Sequence, residues 1–260
     1  MKKFSKALIT GATSGIGKAL ALLLAEKKVE LILAGRNEIA LYELASNLTA
    51  QVPVHRFRGN LTRRDDLEEL LTLISQHAPD LVINNAGFGA YGNFVDHSWE
   101  EFEEMIALHC SSLMAITHQA VSTLIAQKKQ GTIVNISSFL GDFACPGHAV
   151  YAATKAFVTN FSKTLDYELQ PQGVRVLVSC PGYVVTPFRS RASAGTLRAE
   201  KSVFSLEPER VARLIVKQAE KRKRYAIIDW RYRLLSWLFW CLPEKIVNAI
   251  LYRVNKKPSQ

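Results

Sequence analysis

Tyr151 and Lys155 are the residues of this sequence whose types and spacing most directly suggest chemistry. They lie four positions apart in "YAATK", at the start of a predicted helix over residues 151–169, so their side chains project from one face of that helix. A lysine ammonium beside a tyrosine favours the phenolate and lowers the pKa of the hydroxyl, which suits that hydroxyl to general acid–base work. The same spacing also occurs in ordinary amphipathic helices.

Ser138 is the third candidate catalytic residue. It ends a predicted strand over residues 131–138, and its hydroxyl can donate a hydrogen bond to a carbonyl oxygen on which negative charge develops. The neighbouring Ser137 is its rival for this role. A proton donor, a cation that tunes it and a hydrogen-bond donor to a carbonyl oxygen are the groups that reduction of a ketone would need beside a source of hydride.

The glycine-rich stretch "GATSGIG" lies between the predicted strand 6–10 and the helix that follows it. Gly11, Gly15 and Gly17 let the backbone turn tightly and approach a diphosphate without a Cβ in the way. The helix N-terminus then presents N–H groups and the positive end of its dipole to the charge. A tight strand–helix turn is the bland alternative. Because the pattern follows a strand and opens a helix, we predict dinucleotide binding.

The end of the second predicted strand indicates which dinucleotide is bound. Sheets that bind NAD usually carry an acid there for the adenosine ribose hydroxyls. This segment reads "LILAGRN", with no acid and with Arg36 just past the strand. A guanidinium can grip a 2′-phosphate with its planar fork. We therefore predict NADP(H), and a solvated turn arginine is the alternative.

Apolar runs alternate with helical periodicities along the whole chain. Because the runs are continuous, they are typical of a parallel sheet that is covered on both faces. The predicted strands span residues 6–10, 29–35, 53–60, 80–87, 131–138, 174–182 and 224–230. We predict an α/β fold, one doubly wound Rossmann-type domain over residues 1–230 with about seven strands, followed by an amphipathic helical extension over residues 231–260.

Several motifs, in this order, resemble the short-chain dehydrogenase/reductase family: "TGATSGIG" (10–17), "NNAG" (84–87), a serine thirteen residues before the tyrosine, "YAATK" (151–155) and "PGYVVT" (181–186). The resemblance covers about residues 6–230. It selects Ser138 over Ser137, implies that Tyr151 is the acid–base, and implies that Lys155 both tunes Tyr151 and binds the nicotinamide ribose.

The resemblance also implies where the cofactor lies. Asn84, Ala86 and Gly87 would line the adenosine side, and Pro181, Gly182 and Thr186 the nicotinamide side. The full predicted set of cofactor-binding residues is Gly11, Thr13, Ser14, Gly15, Ile16, Gly17, Arg36, Asn60, Leu61, Asn84, Ala86, Gly87, Tyr151, Lys155, Pro181, Gly182, Val184 and Thr186. Asn60 departs from the family pattern, since relatives usually have Asp beside the adenine, and a modest change of adenine contacts is expected. Residues 185–204 occupy the place of the family's substrate lid, and a homo-oligomer is expected because dimers and tetramers are common among relatives.

His109 is a titratable ring on an otherwise apolar helical stripe in "MIALHCSSLM". Its spacing from Met105, Leu113 and Ile116 turns it inward, where a hydrogen-bonded core histidine is the ordinary interpretation. The resemblance adds that relatives usually have an asparagine here, which holds a water that links the catalytic lysine to solvent. Histidine can keep a donor and an acceptor in that place and titrates near neutral pH. We therefore count His109 among the predicted catalytic residues, as a member of a proton relay.

Basic residues concentrate near the C-terminus. Residues 201–260 contain fourteen Lys and Arg against five Asp and Glu, which accounts for +9 of the net charge of +10. Residues 231–257 combine two short apolar pieces, Trp237 and Trp240 with flanking basic residues, and this suits peripheral contact with an anionic membrane. Two helices packed on the sheet edge or on a partner subunit are the alternative. Nucleic-acid binding is not expected, because no basic recognition motif accompanies the charge.

The remaining totals bound the class of protein. Four scattered cysteines indicate a reducing compartment and predict neither a disulfide framework nor a metal site. The N-terminus lacks the apolar core of a signal peptide, so we expect a cytoplasmic protein, or one held peripherally on the inner face of a membrane. We predict an NADP(H)-dependent oxidoreductase that interconverts a small-molecule carbonyl and an alcohol, with an apolar or lipid-like substrate. An NADP(H)-binding sensor or scaffold protein with little turnover is the alternative.

Overall fold

The structure, a computed structural model, describes residues 3–193 and 202–255. These residues form an all-parallel sheet, and its strands are β1 (Lys6–Thr10), β2 (Glu30–Gly35), β3 (Val54–Arg58), β4 (Leu81–Asn84), β5 (Gly131–Ile136), β6 (Val174–Cys180) and β7 (Tyr225–Ile227). Their order across the sheet is β3-β2-β1-β4-β5-β6-β7, so the direction of winding reverses between β1 and β4. The carboxyl ends of those strands are therefore where a ligand site is expected.

The helices cover both faces of the sheet. In chain order they are α1 (Gly15–Glu26), α2 (Glu38–Thr49), α3 (Arg64–His77), α4 (Trp99–Ile106), α5 (Leu113–Ala126), α6 (Ala149–Leu169), α7 (Pro187–Ala192), α8 (Pro208–Glu220), α9 (Trp230–Cys241) and α10 (Glu244–Asn255). Successive residues of β1 point to opposite faces, since Ile9 packs in the cluster that contains α1 and α8, and Leu8 in the cluster that contains α3 and α5. The predicted doubly wound fold is confirmed.

Three central strands end earlier than predicted. β4 ends at Asn84, β5 at Ile136 and β6 at Cys180, two or three residues before the predicted ends. Ser138 then opens a turn, because its Oγ accepts a hydrogen bond from the N–H of Leu140. The polar and small residues beyond these strands are loops at the carboxyl edge of the sheet, and they are the residues with predicted chemistry.

The helix that begins after Ser98 is interrupted. Ser98 Oγ accepts a hydrogen bond from the N–H of Glu101, as a capping box requires. After α4 the backbone forms a π-helical segment over Ala107–Ser112 before α5 begins. Ser112 Oγ donates to the carbonyl oxygens of Ala107 and Leu61, at 2.9 and 2.6 Å. The wider turn contains His109, and π-helical turns are frequent at functional sites.

The predicted boundary at residue 230 coincides with the first residue of α9. Beyond it, Tyr232 and Phe239 of α9 and Val247 and Leu251 of α10 are buried in the same hydrophobic cluster as α1 and α8. The C-terminal region is helical, and it packs on the Rossmann core. Within the part of the chain that the structure describes, no helix has the length and apolar composition needed to cross a bilayer.

Candidate active site

The loop between β1 and α1 has no room for side chains at its glycines. Gly11 and Gly15 have φ values of +64° and +53°, which favour glycine. A Cβ on Gly17 would lie 2.2 Å from the carbonyl oxygen of Gly11, and one on Gly11 would lie 2.9 Å from Cα of Ala86. The backbone of the loop therefore fits closely against the chain after β4.

Asn85 holds this loop in place, although the sequence analysis did not single it out. Its side-chain Nδ2 donates to the carbonyl oxygens of Thr10 and Gly11, at 2.9 and 3.2 Å. Thr10 Oγ1 accepts from the backbone N–H groups of Asn85 and Ala86. Asn84, which we predicted at the adenosine side, instead turns its buried side chain inward to Thr117 and Asn135. The motif "NNAG" does not itself show which asparagine side chain binds the glycine loop and which lies in the core; the fold decides this.

The N-terminus of α1 is suited to an anion. Ser14 is its N-cap with no hydrogen bond from the side chain to the helix, and the first turn contains no acid. Ser14 Oγ instead accepts a hydrogen bond at 3.1 Å from Nη2 of Arg191, which lies on α7. Two positive features, the helix N-terminus and a guanidinium, thus meet at one hydroxyl, which favours a negatively charged ligand such as a diphosphate. Arg191 has no sequence signal apart from its position after "PGYVVT".

The carboxyl ends of β2 and β3 carry the predicted 2′-phosphate site. Arg36 follows β2, and its exposed guanidinium pairs with Glu104 of α4 at 3.2 Å. Gly35 is in register with Arg58 of β3, so a second arginine lies at the same edge. Arg58 pairs loosely with Glu38, at 3.6 Å. Register between strands, which the sequence does not give, adds Arg58 to the candidate residues.

Five more of the predicted cofactor residues are Thr13, Ile16, Asn60, Leu61 and Val184. Thr13 faces the end of β2, where its Cγ2 would meet a Cβ on Gly35, and Ile16 packs on the core cluster. Asn60 Oδ1 accepts from the N–H and hydroxyl of Thr62, and Leu61 is buried. Val184 is buried too and forms a bridge with Leu206. The side chains of Ile16, Leu61 and Val184 therefore belong to the packed interior of the fold.

Pro181, Gly182 and Thr186 form the loop after β6. Thr186 lies against Gly15, where an added Cβ would come within 2.9 Å of its methyl group. The Pro181 carbonyl accepts from the N–H of Phe139 at 2.9 Å. Gly182 faces the ring of Tyr232 on α9, since an added Cβ would lie 2.0 Å from it. The nicotinamide side of the predicted site is thus fixed from one side by the glycine loop and from the other by α9.

Ser138, Tyr151 and Lys155 come together between the end of β5 and the start of α6. Ser138 lies beside the hydroxyl of Tyr151, where it acts to lower the pKa of that hydroxyl. Lys155 Nζ donates to the carbonyl oxygen of Ile136 at 3.1 Å and lies 5.7 Å from the centroid of the Tyr151 ring. Ser137, the rival of Ser138, donates instead to the carbonyl oxygen of Lys155 at 2.7 Å and bonds Thr159, so it secures α6.

The ionisation of Tyr151 differs from the sequence expectation. Burial raises its pKa to about 12, and the neighbouring Ser138 opposes this rise only in part. Burial also lowers the pKa of Lys155 to about 8. The expectation that Lys155 lowers the pKa of Tyr151 is therefore wrong: burial has the largest effect on this pKa, and Ser138 is the group that lowers it. At neutral pH Tyr151 therefore keeps its proton, which is the state that a proton donor needs.

His109 is buried, at 1% exposure, and both of its ring nitrogens have partners. Nε2 accepts from the N–H of Phe88 at 3.2 Å, so in the neutral ring Nδ1 carries the proton and donates to Thr154 Oγ1 at 2.9 Å. Thr154 donates in turn to the carbonyl oxygen of Tyr151. Burial and the charge of Lys155 lower the pKa of His109 well below its usual 6.5. The expectation that His109 titrates near neutral pH is therefore wrong for this environment, and its part in a proton relay stays a prediction.

Aromatic rings form the wall around Tyr151. The ring centroids of Phe188 and His148 lie 5.8 and 6.3 Å from that of Tyr151, and Tyr91 packs on His148 at 4.8 Å. Burial lowers the pKa of His148 to about 4, so it is a neutral part of this wall. The ring of Tyr151 is therefore surrounded by uncharged rings, while the positive charge of Arg189 acts on Tyr91 and His148 from nearby. Of the lid region, α7 is described and residues 194–201 lie outside the described residues.

A cluster of potential metal ligands lies at the opposite edge of the sheet, although the sequence predicted no metal site. Glu30, His55 and His77 bring their ligand atoms within 4.8 Å of one another. Lys6 Nζ lies 2.9 Å from Glu30 Oε1, so an ammonium already neutralises this carboxylate. The cluster is at the amino ends of β2 and β3, away from the residues described above.

The residues of this site fit a dinucleotide. Three glycines leave room for a diphosphate, an uncapped helix N-terminus and Arg191 supply positive charge, and Arg36 and Arg58 lie where the adenosine ribose would end. The donors are all nitrogen or hydroxyl groups, which suit phosphate and ribose oxygens.

Comparison with known proteins gives consistent matches. Residues 5–196 match the family model described as "short chain dehydrogenase". Sulfoacetaldehyde reductase 2 of Chromohalobacter salexigens is 36% identical over 80% of this chain and 85% of its own. A short-chain dehydrogenase from Sphingobium yanoikuyae in complex with NADPH matches with a TM-score of 0.80 and 28% identity, over 91% of this chain and 94% of its own. A bulky-bulky ketone specific alcohol dehydrogenase from Comamonas testosteroni matches with a TM-score of 0.77 and 26% identity, over 92% and 94%.

Proposed function

The chain belongs to the short-chain dehydrogenase/reductase family, and we propose that it is an NADPH-dependent reductase of bulky, apolar ketones or aldehydes. The family accounts for the interconversion of carbonyl and alcohol. The observation that carries the proposed direction and substrate is a protonated Tyr151 that lies beside Ser138 and a wall of aromatic rings.

In this proposal the chain's own residues bind the carbonyl and supply a proton. Ser138 donates a hydrogen bond to the carbonyl oxygen, and Tyr151 donates its hydroxyl proton to the same oxygen as negative charge develops there. A nicotinamide dinucleotide held by the glycine loop would supply the hydride that the carbonyl carbon needs. Lys155 holds a positive charge near the phenolate that Tyr151 becomes, and its lowered pKa of about 8 suits it to return a proton.

The preference for NADPH rests on Arg36 and Arg58. No acid occupies the end of β2, and the two guanidiniums can bind a 2′-phosphate with charge-assisted hydrogen bonds. Arg36 must then share or leave its pair with Glu104, an exposed pair of small energetic worth. The Sphingobium protein, which was solved with NADPH, supports the same choice.

The substrate class rests on the rings of Phe188, His148 and Tyr91. Flat, neutral walls bury apolar groups and exclude water, and the Comamonas enzyme is named for bulky ketones. The Chromohalobacter relative is named for sulfoacetaldehyde, so a small anionic aldehyde belongs in any substrate panel.

Turnover of the wild-type protein tests the reaction. NADPH oxidation is followed with bulky ketones, 3-oxoacyl thioesters, small aldehydes and sulfoacetaldehyde. We expect turnover with bulky ketones and a fall in kcat of about 10²-fold or more in Tyr151→Phe. Tyr42→Phe, at an exposed tyrosine on α2, is the control and should keep the wild-type kcat. NADPH binding without turnover across the panel would establish the sensor or scaffold instead.

Substitution of Arg36 tests the cofactor. In Arg36→Met, the Kd for NADPH should rise about tenfold or more, since charge-assisted hydrogen bonds are lost, and the Kd for NADH should stay unchanged. Arg213→Met, an exposed position on α8, is the matched control. An equal rise for both cofactors would contradict the 2′-phosphate contact.

We also propose that the chain self-associates, as the family resemblance leads us to expect. An open apolar groove of about 440 Å³ lies between α4 and α6, lined by Ile106, Cys110, Ala153 and Phe157 among others. Its uncharged lining can meet the same face of a second copy without repulsion. Sedimentation should show an oligomer in the wild type and a smaller species in Phe157→Ser, whereas a monomeric wild type would contradict this.

A further inference from the structure

The outward side of α9 carries apolar side chains where a surface helix normally carries polar ones. Trp230, Leu234, Trp237, Leu238 and Cys241 follow the spacing i, i+4, i+7, i+8 and i+11, so they form one stripe. All of them are exposed, Trp237 at 62%, and Trp240 beside the stripe is exposed at 72%. In the described part of the chain, nothing covers this stripe.

The inward side of α9 is already packed. Tyr232, Ser236 and Phe239 are buried, and the Phe239 ring lies 6.2 Å from Phe139 and 5.3 Å from Phe143. The outward stripe is therefore additional to the core. A helix that is apolar all round is normally enclosed by other apolar groups, so the stripe implies a further apolar environment.

The next helix, α10, also has exposed apolar side chains. Val247 and Leu251 are buried, whereas Ile246 and Ile250 are exposed. The exposed apolar side chains of α9 and α10 are together called the C-terminal apolar face: Trp230, Leu234, Trp237, Leu238, Trp240, Ile246 and Ile250. Each of its helices has 12 residues, about 18 Å at 1.5 Å per residue, which is shorter than the apolar core of a bilayer.

Positive charge surrounds this face. Residues 230–260 contain six Lys and Arg and one acid, Glu244. Arg233, Lys245 and Arg253 are exposed on the two helices, beside the apolar side chains. Lys256 and Lys257 lie outside the described residues.

We propose that the C-terminal apolar face docks on an anionic lipid surface, with α9 and α10 lying in the headgroup region rather than crossing the bilayer. Tryptophans beside basic side chains fit a membrane interface, where the rings enter the acyl boundary and the cations meet lipid phosphates. A second copy of the chain fits less well, because a twofold interface would set the two basic rims against each other. The binding does not depend on the proposed reductase activity.

Docking in this way would also orient the active site. Phe139 follows Ser138, and Phe239 packs on it from the inward side of α9. Tyr232 packs on Gly182 in the same manner. The loops that carry Ser138 and the nicotinamide side therefore lie directly behind the docked helix, close to where an apolar substrate dissolved in the bilayer would arrive.

Vesicle flotation of the full chain tests this proposal. The vesicles are phosphatidylcholine alone, and phosphatidylcholine mixed with phosphatidylglycerol. We expect the wild type to float with the mixed vesicles and to bind the neutral ones much less, by about fivefold for each basic residue that meets the surface. Trp237→Ser with Leu234→Ser should lower binding about tenfold or more.

Two matched controls separate docking from general surface changes. Trp99→Ser removes a tryptophan of the same exposure, 62%, on α4, and should bind like the wild type. Neutralising Arg213, Lys217 and Lys221, exposed on α8, should weaken binding less than neutralising Arg233, Lys245 and Arg253. Deletion of residues 231–260 is not used, because it would remove the buried Tyr232 and Phe239.

Three results would overturn the proposal. One is equal flotation of the wild type and the Trp237→Ser, Leu234→Ser variant. Another is equal binding to neutral and anionic vesicles. The third is absence of vesicle binding together with a fall in sedimenting mass in this variant but not in Trp99→Ser, which would assign the face to a second copy.

Discussion

Two regions of the protein contact residues 181–186 from opposite sides, and they do so by different means. The glycine loop approaches with its backbone: Gly15 lies against Thr186 with no space for a side chain. The helix α9 approaches with a side chain: the ring of Tyr232 lies on Gly182, and its hydroxyl accepts from the N–H of Tyr183 and donates to the carbonyl oxygen of Phe204, each at 2.8 Å.

The difference shows where each region tolerates change. A backbone contact at van der Waals distance leaves no room for an added atom, so the glycine loop requires residues without a side chain. A side-chain contact uses one side of a helix and leaves the other side free, so α9 can be buried inward and apolar outward. Substitutions that add atoms to the first region and remove atoms from the second therefore measure the two kinds of constraint.

The largest effect should come from Gly17→Ala. The added Cβ would lie 2.2 Å from the carbonyl oxygen of Gly11, which is backbone and cannot yield cheaply. We expect the free energy of unfolding to fall by about 1–3 kcal/mol and NADPH binding to be lost, measured by urea titration and calorimetry. Lys18→Ala, the exposed next residue, should change neither property. Normal NADPH affinity in Gly17→Ala would show that the loop can shift.

A pH dependence of stability should come next, through Lys155. Burial lowers its pKa from 10.5 to about 8, so between these pH values the unfolded chain keeps a proton that the folded chain has lost. The contribution of Lys155 to stability is therefore complete above the unfolded pKa and is lost as the pH falls through the folded one. Relative to Lys155→Met, the wild type should gain up to about 1 kcal/mol per pH unit in this window. A pH-independent difference in urea midpoints would contradict the lowered pKa.

Tyr232→Phe probes the side-chain contact of α9. It removes one hydroxyl and leaves the N–H of Tyr183 and the carbonyl oxygen of Phe204 without that partner. The free energy of unfolding should fall by about 1–2 kcal/mol, and the KM of the carbonyl substrate should rise more than kcat falls. Tyr252→Phe, exposed on α10, is the control. If the two variants have the same free energy of unfolding and the same KM, α9 does not position the loop after β6.

The smallest effect should come from His109→Asn. Since the His109 ring is buried with a pKa well below 6.5, it stays neutral wherever the enzyme is assayed near neutral pH. The pH profile of kcat should therefore match that of the wild type, with a modest change in kcat itself. A shifted profile would instead place His109 in the proton relay.

Local motifs made most of the fold and the cofactor loop predictable. Continuous apolar runs predicted the parallel sheet. Gly11, Gly15 and Gly17 were predictable because the tight turn of their own backbone leaves no room for a Cβ. The extra residues of the site depend on register and long-range packing. Arg58 reaches the end of β2 only through the β2–β3 pairing, and Arg191 reaches Ser14 across 177 positions of sequence.

Burial explains the part of the chemistry that the sequence did not predict. Spacing places Tyr151 beside Lys155, and when only this pair is considered, the positive charge of the lysine is expected to lower the pKa of the tyrosine. In the folded chain the loss of water raises that pKa instead, to about 12, because solvation acts on each group separately. No local pattern reports how much water a fold removes.

The hydroxyl of Tyr232 has one more consequence, for measurement in solution. The amide of Tyr183 has this side-chain oxygen as its acceptor, while the amide of Val185 in the same loop donates to the backbone carbonyl oxygen of Leu206. Hydrogen–deuterium exchange at this amide therefore requires α9 to move away from Gly182. The exchange rate of this amide therefore reports how often α9 detaches from the loop after β6. Slower exchange on adding vesicles or NADPH would show which of these ligands stabilises the packed position of α9.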